Sequence, residues 1–460
     1  MQNKNKMKKI ISIGCGGAGM FSAIVATQLK KGEFEAIVLS DEKDIYCRCT
    51  TPYIVTGEAQ LCDAIQPESM IESYGPKIVH EKAIGINTKR KHVLTKEGRI
   101  HKYDYLVIAT GASPFIPQIK GMDSKNVFTV RNSHDMECIQ ARLGKAKSAV
   151  VVGAGVIGME MAGALKAKGL EVSLVEYAPG ISSGITDKEF AKKIISHLEG
   201  NGIKMRFRSK VVEINDAPRK KKEIIIKKGR QSEKIVADLV IVAAGVRPNL
   251  EVISGTKIKA NQFGILVDEK MRTNIKDVYA CGDCCVPLSA VTGKNEPSSL
   301  ASSAIQQSKI VGYQMAGFPI KYAGSTGAFA FQTLGREYAA AGLNEDEARR
   351  KFRWVVVGRA QTTDVYKDLE RNKPLDVKLI FAGPKMRLVG YEGFGNGVIA
   401  SAEVASFAIG LRLNILKVLK FNYIAHPSLT PWPFMNPIIM ATEDAMGSLM
   451  KKFKEFFGKK

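Results

Sequence analysis

Two short glycine patterns limit what this chain can fold into. The first is Gly14-Cys15-Gly16-Gly17-Ala18-Gly19, directly after the apolar run Ile10-Ile11-Ser12-Ile13. The second is Gly153-Ala154-Gly155-Val156-Ile157-Gly158, directly after Ala149-Val150-Val151-Val152. In each, the first glycine (Gly14, Gly153) permits a tight strand-to-helix turn. The second (Gly16, Gly155) lets the backbone approach a ligand, and the third (Gly19, Gly158) lets the helix lie against the strand. The exposed N–H groups of such a helix start favour an anion, and a pyrophosphate suits them. One pattern alone is weak evidence. Two, each in a strand–turn–helix setting, predict an α/β fold with two Rossmann-like dinucleotide-binding domains. A chain that holds two dinucleotides is suited to passing electrons between them.

At 460 residues the chain exceeds one compact core, so two or three domains are expected. A formal charge of +23 invites a nucleic-acid or membrane reading. The basic residues are scattered and are not interleaved with aromatics, so neither partner is expected. Eight cysteines without a regular framework fit a reducing cytoplasm. The uncharged stretch Ile10 to Leu29 follows Lys8-Lys9 and superficially resembles a signal peptide or a membrane span. Its glycine spacing, repeated deep in the chain, favours a strand and helix instead.

Beyond the first pattern, the strand Ala36-Ile37-Val38-Leu39 runs into Ser40-Asp41-Glu42. Asp41 lies near the usual spacing, about 20 residues, for a carboxylate that holds a ribose hydroxyl, and Glu42 competes with it. After the second pattern, Val172-Ser173-Leu174-Val175 leads to Glu176. A carboxylate there accepts from a ribose and repels a 2′-phosphate, which favours NAD over NADP. The basic stretch from Pro218 to Arg230 reads as a solvated β-hairpin rather than an anion-binding patch. Past about residue 325 the glycine patterns stop, and strand-like and helical runs suggest a separate α+β domain. The basic amphipathic tail, Met450 to Lys460, reads as a frayed or docked terminal helix, with a peripheral membrane contact as the alternative.

The order and spacing of these motifs resemble the flavin-dependent pyridine nucleotide–disulfide oxidoreductases along essentially the whole chain. The match comprises the first fingerprint, the turn Ala109-Thr110-Gly111, the second fingerprint, Ala244-Gly245-Val246-Arg247-Pro248-Asn249, and Gly282-Asp283. The resemblance implies FAD and NADH as cofactors. It implies an FAD domain in two segments (1–117 and 253–325), an inserted NAD(H) domain (118–252) and a C-terminal α+β dimerisation domain (326–460). Thr110, Gly111, Gly245 and Gly282 would then line the cofactors, and Asp283 would bind the flavin ribityl chain.

Within that family the segment Tyr46-Cys47-Arg48-Cys49-Thr50-Thr51-Pro52-Tyr53 is similar to the single-cysteine branch. That branch includes coenzyme A-disulfide, persulfide and polysulfide reductases, and NADH oxidases and peroxidases. Cys49 matches the redox position. Thr51-Pro52 reads as N-cap and N1 of a helix, whose positive end, together with Arg48 on the cofactor side, would favour the Cys49 thiolate. The coenzyme A-reducing members usually carry asparagine where this chain has Arg48. Cys47 either resolves an oxidised Cys49 or packs. A disulfide across one residue is strained and easily reduced. Tyr423 matches a tyrosine that reaches the partner subunit's sulfur site, and Tyr366 is a second, weaker match. His426, in His426-Pro427-Ser428-Leu429-Thr430, resembles the interface base of lipoamide dehydrogenases, but Pro431 replaces the glutamate that orients it. It is either a proton donor or a structural histidine. Cys281-Gly282-Asp283-Cys284 has no second pair at zinc spacing, so no metal is expected.

The resemblance implies a homodimer that passes hydride from NADH through FAD to a sulfur acceptor at Cys49, and the cysteine usage implies a cytoplasmic setting. Two alternatives stand beside it. One is an NADH oxidase or peroxidase with an oxygen acceptor. The other is the flavoprotein subunit of an electron-transfer complex, whose basic surface would suit an acidic, ferredoxin-like carrier.

Overall fold

The computed structural model describes residues 7–182 and 184–457. Its contacts sort the chain into two compact units. Met1–Ile116, Phe128–Gly144 and Gly245–Ser325 form the first, and Pro117–Val127, Lys145–Ala244 and Thr326–Lys460 form the second.

In the first unit the uncharged N-terminal stretch resolves into strand Lys8–Ile13, a glycine turn and helix Gly17–Leu29. It is not a membrane span, and no described helix is long and apolar enough to cross a membrane. The strand is the centre of a five-stranded parallel sheet. Phe34–Leu39 and Tyr105–Ile108 flank it, with Lys77–Val79 and Val278–Ala280 at the edges. Ile10, Ile11, Val38, Leu106, Val107 and Ala280 are buried together, as expected for parallel strands covered on both faces. Helix Ala301–Met315 lies on Gly17–Leu29 so closely that a Cβ at Gly312 would collide with Val25.

The second unit repeats the design. Strands Leu239–Val242, Ser148–Val152, Glu171–Val175 and Lys204–Arg206 lie side by side in that order, all parallel. Helix Val156–Ala167 follows the second glycine turn. The basic stretch is not a wholly solvated hairpin. It belongs to a three-stranded antiparallel sheet of Lys210–Ala217, Lys221–Lys228 and Gln231–Ala237. Lys222 is 1% exposed, with its ammonium 2.6 Å from Asp216. The cause is the two-residue period of a strand: Lys222, Ile224 and Ile226 share the buried face.

The C-terminal residues build a five-stranded antiparallel sheet in the order Phe329–Thr333, Arg336–Gly342, Arg387–Gly395, Pro374–Ala382, Val355–Thr363. This sheet falls in the same unit as the second parallel sheet. Lys378, 2% exposed, holds Asp187 at 2.8 Å, Glu189 at 2.6 Å and Glu345 at 2.7 Å. Gly163 on the fingerprint helix leaves no room for a Cβ against Thr333. The tail is the end of helix Pro437–Phe457. That helix crosses strand Val355–Thr363 at Gly358, where a Cβ would collide with the Ala441 carbonyl. Lys452 donates to the Val355 carbonyl at 3.2 Å, so the described part of the tail is docked. Gly458 to Lys460 lie outside the described residues.

Candidate functional site

The two glycine turns have the same geometry. Gly14 has φ +107° and Gly153 φ +105°, a region closed to most side chains. A Cβ on Gly14 would strike the Ala109 carbonyl, and one on Gly153 the Ala243 carbonyl. A Cβ on Gly19 or Gly158 would strike the carbonyl of Gly14 or Gly153. On Gly16 or Gly155 it would meet nothing within 4 Å. The fold itself therefore needs the first and third glycines, while the middle ones face open space. Both helices start at these open glycines, with no side-chain cap and no acidic residue in the first turn. Their N–H groups are left for an anion, and a dinucleotide pyrophosphate fits each cradle.

The strand register locates the ribose ends. Gly14 N donates to Leu39 O at 2.9 Å, and Gly153 N donates to Val175 O at 2.8 Å. Ser40 therefore occupies the position that Glu176 occupies in the second unit. Glu176 accepts from Ala154 N at 2.7 Å and from Ala178 N at 2.6 Å, which ties it to its own glycine turn. Ser40 is buried and donates to Glu42 O at 2.9 Å. Asp41 is more than half exposed and lies 3.6 Å from Lys82, whereas the Glu42 carboxylate turns to Arg48.

The Thr110-Gly111 turn is latched to the segment after Gly245. Thr110 Oγ1 donates to Asn249 O at 2.7 Å, and Asn249 returns two bonds, to Thr110 O at 2.9 Å and Gly111 O at 3.0 Å. Gly245, with φ +109°, faces open space. Gly282 packs under the first fingerprint helix, with no room for a Cβ against Ala18. Burial pushes the Asp283 carboxyl up, against the pull of Arg131 and Arg48. Burial and the nearby Arg48 push the Arg131 guanidinium down, while Glu42 and Asp283 oppose them. Arg48 Nε is buried without a hydrogen-bond partner. Two cations beside the first cradle, one with an orphaned donor, suit the phosphates of a flavin dinucleotide. Arg131 was missed in the sequence because no motif surrounds it.

Cys49 sits in a 3-10 turn, Arg48–Thr50, that precedes helix Thr51–Thr56. The helix starts one residue earlier than its Thr-Pro signal implied. Thr50 is the cap and makes no side-chain bond. Thr51 instead donates back to Arg48 O at 2.8 Å and meets Tyr46 OH at 2.7 Å. Cys47 and Cys49 are exposed. Arg48, expected as a cation near Cys49, is paired with Glu42, whose carboxylate oxygens both lie 2.6 Å from it. Cys281, Cys284 and Cys285 are buried. Cys284 points to the Ile108 carbonyl at 3.3 Å, and burial pushes all three thiols up.

In the second unit, Tyr423 donates to Pro433 O at 2.6 Å and is exposed. Exposed His426 has Nδ1 3.1 Å from Ser428 Oγ, so a serine two residues on orients the ring where Pro431 cannot. Tyr366 packs against Trp432 with the rings tilted by 57° and their centroids 5.7 Å apart. Glu160, two residues after Gly158 on the fingerprint helix, is pushed up to about 7 by burial. Its only sequence signal is a lone carboxylate within an apolar helix.

The profile of the pyridine nucleotide-disulphide oxidoreductase family matches residues 8–308. The chain is 31% identical to an NADH oxidase of Methanocaldococcus jannaschii over 456 residues, covering 96% of this chain and 100% of that protein. It is 31% identical to a CoA-dependent NAD(P)H sulfur oxidoreductase of Pyrococcus furiosus, covering 87% and 91% of the two chains. The solved NAD-dependent persulfide reductase from A. fulgidus superposes with a TM-score of 0.89 at 27% identity, covering 96% of this chain and 84% of that one.

Proposed function

Because the chain belongs to the pyridine nucleotide-disulphide oxidoreductases, and so is an NAD(P)H-dependent flavin oxidoreductase, we propose that it reduces a low-molecular-weight sulfur acceptor at Cys49. NADH is held by Gly153, Gly155, Gly158 and Glu176, and FAD by Gly14, Gly16, Gly19, Thr110, Gly111, Gly245, Gly282 and Asp283. Asp41 or Glu42 completes the FAD ribose site, and Arg48 and Arg131 meet the FAD phosphates. FAD supplies hydride acceptance and two-electron storage. Cys49 attacks the acceptor sulfur, and Tyr423 or His426 of a second copy of this chain supplies the proton.

The observation that carries this reading is the exposed Cys49, on a turn whose Arg48 pairs with Glu42, just past the strand Phe34–Leu39 that flanks the first dinucleotide cradle. Coenzyme A disulfide, a persulfide and polysulfide are the acceptors in view. The homodimer is supported by exposed apolar side chains near Tyr423 and His426. Ile424 is 84% exposed, Leu429 74% and Phe434, next to the Pro433 that Tyr423 contacts, 68%. A soluble cytoplasmic setting agrees with the cysteine usage. Likeness to an NADH oxidase supports a second reading, in which oxygen or peroxide is the acceptor and Cys49 cycles through a sulfenic acid.

An anaerobic NADH-oxidation panel with coenzyme A disulfide, polysulfide, peroxide and a ferredoxin, beside an aerobic blank, separates these readings. Sulfur-dependent turnover that Cys49→Ser abolishes supports the first. Turnover with oxygen alone supports the second. Turnover with ferredoxin that survives Cys49→Ser points instead to an electron-transfer subunit.

A further inference from the structure

Cys49 has a neighbour from another part of the chain. Strands Ile45–Tyr46 and Ile65–Gln66 pair antiparallel, with Tyr46 opposite Ile65. One residue further, Cys47 N donates to Ala64 O at 2.8 Å. Both segments then leave this ribbon in 3-10 turns, Arg48–Thr50 on one side and Cys62–Ala64 on the other. Cys49 is two residues beyond Cys47, and Cys62 is two residues before Ala64. Facing residues of an antiparallel pair lie about 5 Å apart, so the ribbon brings the starts of the two turns, at Cys47 and Ala64, side by side. Cys62 is exposed like Cys49, and its thiol approaches the Asp63 carboxylate at 3.7 Å. Neither turn has a side-chain cap, and short uncapped turns on the surface open at low free-energy cost.

We infer that Cys62 is a resolving thiol for Cys49, so that this chain works through a dithiol rather than a single cysteine. The inference rests on the reading that Cys49 reacts with a sulfur acceptor. Cys47 is the worse partner because a disulfide across one intervening residue is strained. Cys62 comes from a separate turn and carries no such restraint.

The step balances without a further reagent. The Cys49 thiolate attacks a disulfide RSSR, forms Cys49–S–S–R and releases one RS⁻. The Cys62 thiolate then attacks the Cys49 sulfur, breaks the bond to SR and releases the second RS⁻. The resulting Cys49–Cys62 disulfide takes two electrons from NADH by way of the flavin, which restores both thiolates. The sum is NADH, one proton and RSSR giving NAD⁺ and two RSH.

The test uses FAD-loaded protein with its thiols reduced by dithiothreitol, the reductant removed anaerobically and the flavin left oxidised, mixed with an equimolar amount of bis(2-hydroxyethyl) disulfide. The mixture is quenched with N-ethylmaleimide and its peptides are mapped. The expected result is a Cys49–Cys62 cross-link with both halves of the probe released as thiol. In Cys62→Ser one half should stay on Cys49 as a mixed disulfide, with flavin content and flavin reduction by NADH unchanged. A mixed disulfide on Cys49 in the native protein with Cys62 alkylated, or a Cys49–Cys47 cross-link, overturns the inference and leaves the sulfur reading standing. Alkylation of Cys49 and Cys62 alike, with the probe intact, overturns both.

Discussion

Arg48 Nη2 lies 2.6 Å from both carboxylate oxygens of Glu42, so the cation adjoining Cys49 in sequence is already compensated. Glu42 therefore sets how much positive field the sulfur receives. Glu42→Gln should raise the rate at which iodoacetamide alkylates Cys49 at fixed pH, and Arg48→Met should lower it. The pair is about a third exposed, so each change should be about fivefold or less, within the ~1 kcal/mol of partly solvated pairs. Equal alkylation rates in all three proteins would show that Cys49 does not feel this pair.

The glycines separate folding from cofactor binding. A Cβ at Gly16 or Gly155 meets no protein atom within 4 Å. Gly16→Ala should therefore fold with near-normal circular dichroism but come off the column colourless. Gly155→Ala should keep its flavin and lose NADH affinity. Gly19→Ala, whose Cβ would strike the Gly14 carbonyl, should lose thermal stability even with excess FAD. A yellow, fully loaded Gly16→Ala protein would contradict the assignment of the first cradle.

Glu176 is held by two amide donors beside the second cradle. Its charge is fixed where a 2′-phosphate would arrive. Steady-state kinetics should show NADH preferred over NADPH. Glu176→Ala should narrow that preference by roughly tenfold, the equivalent of ~1.4 kcal/mol, mostly through NADPH. Equal use of both cofactors by the native protein would remove the basis for this assignment.

Glu392 gives the second unit a pH dependence. It is 1% exposed. Its Oε1 accepts from Asp187 N at 2.8 Å and Tyr338 OH at 3.2 Å, while Oε2 has no partner. Burial first, then the Asp187 charge, push its carboxyl up to about 8, from 4.5. Between those values the folded protein keeps a proton that the unfolded chain has lost. Stability should fall as pH rises through that window, and the penalty is complete above it. Glu392→Gln should flatten this slope and add on the order of a few kcal/mol of stability above pH 8, read as a higher Tm. Identical melting profiles from pH 5 to 9 would show that the carboxyl titrates as an ordinary one.

The features legible in the sequence are those whose cause is local. A glycine forced to φ near +105° leaves its mark on the one residue that can adopt it. Buried parallel strands show as unbroken apolar runs, and that was enough for the α/β fold. The carboxylate after the first cradle was harder to place. Counting from Gly19 favours Asp41, but the hydrogen bond from Gly14 N to Leu39 O sets the register and puts Ser40 where Glu176 stands in the second unit. Lys222 looked solvated because its neighbours in sequence are basic, while its neighbours in space are apolar. Lys378 and Asp187, 191 positions apart, and Arg131 beside Asp283 depend on tertiary register, and no window of residues reveals that. The start of the Cys49 helix was misplaced by one residue because a 3-10 turn comes before it.

The strand Val278–Ala280 pairs with Tyr105–Ile108, and it does so only after the whole second parallel sheet has intervened in the chain. During synthesis the N-terminal sheet leaves the ribosome with an unpaired edge and waits for that strand and for helix Ala301–Met315. Open edges invite pairing with other chains. A translation pause or truncation between residues 110 and 278 would thus yield a nascent chain that depends on chaperones. On the proposed cofactor assignment, flavin supplied early would not remove that dependence, because Asp283 has not yet been made.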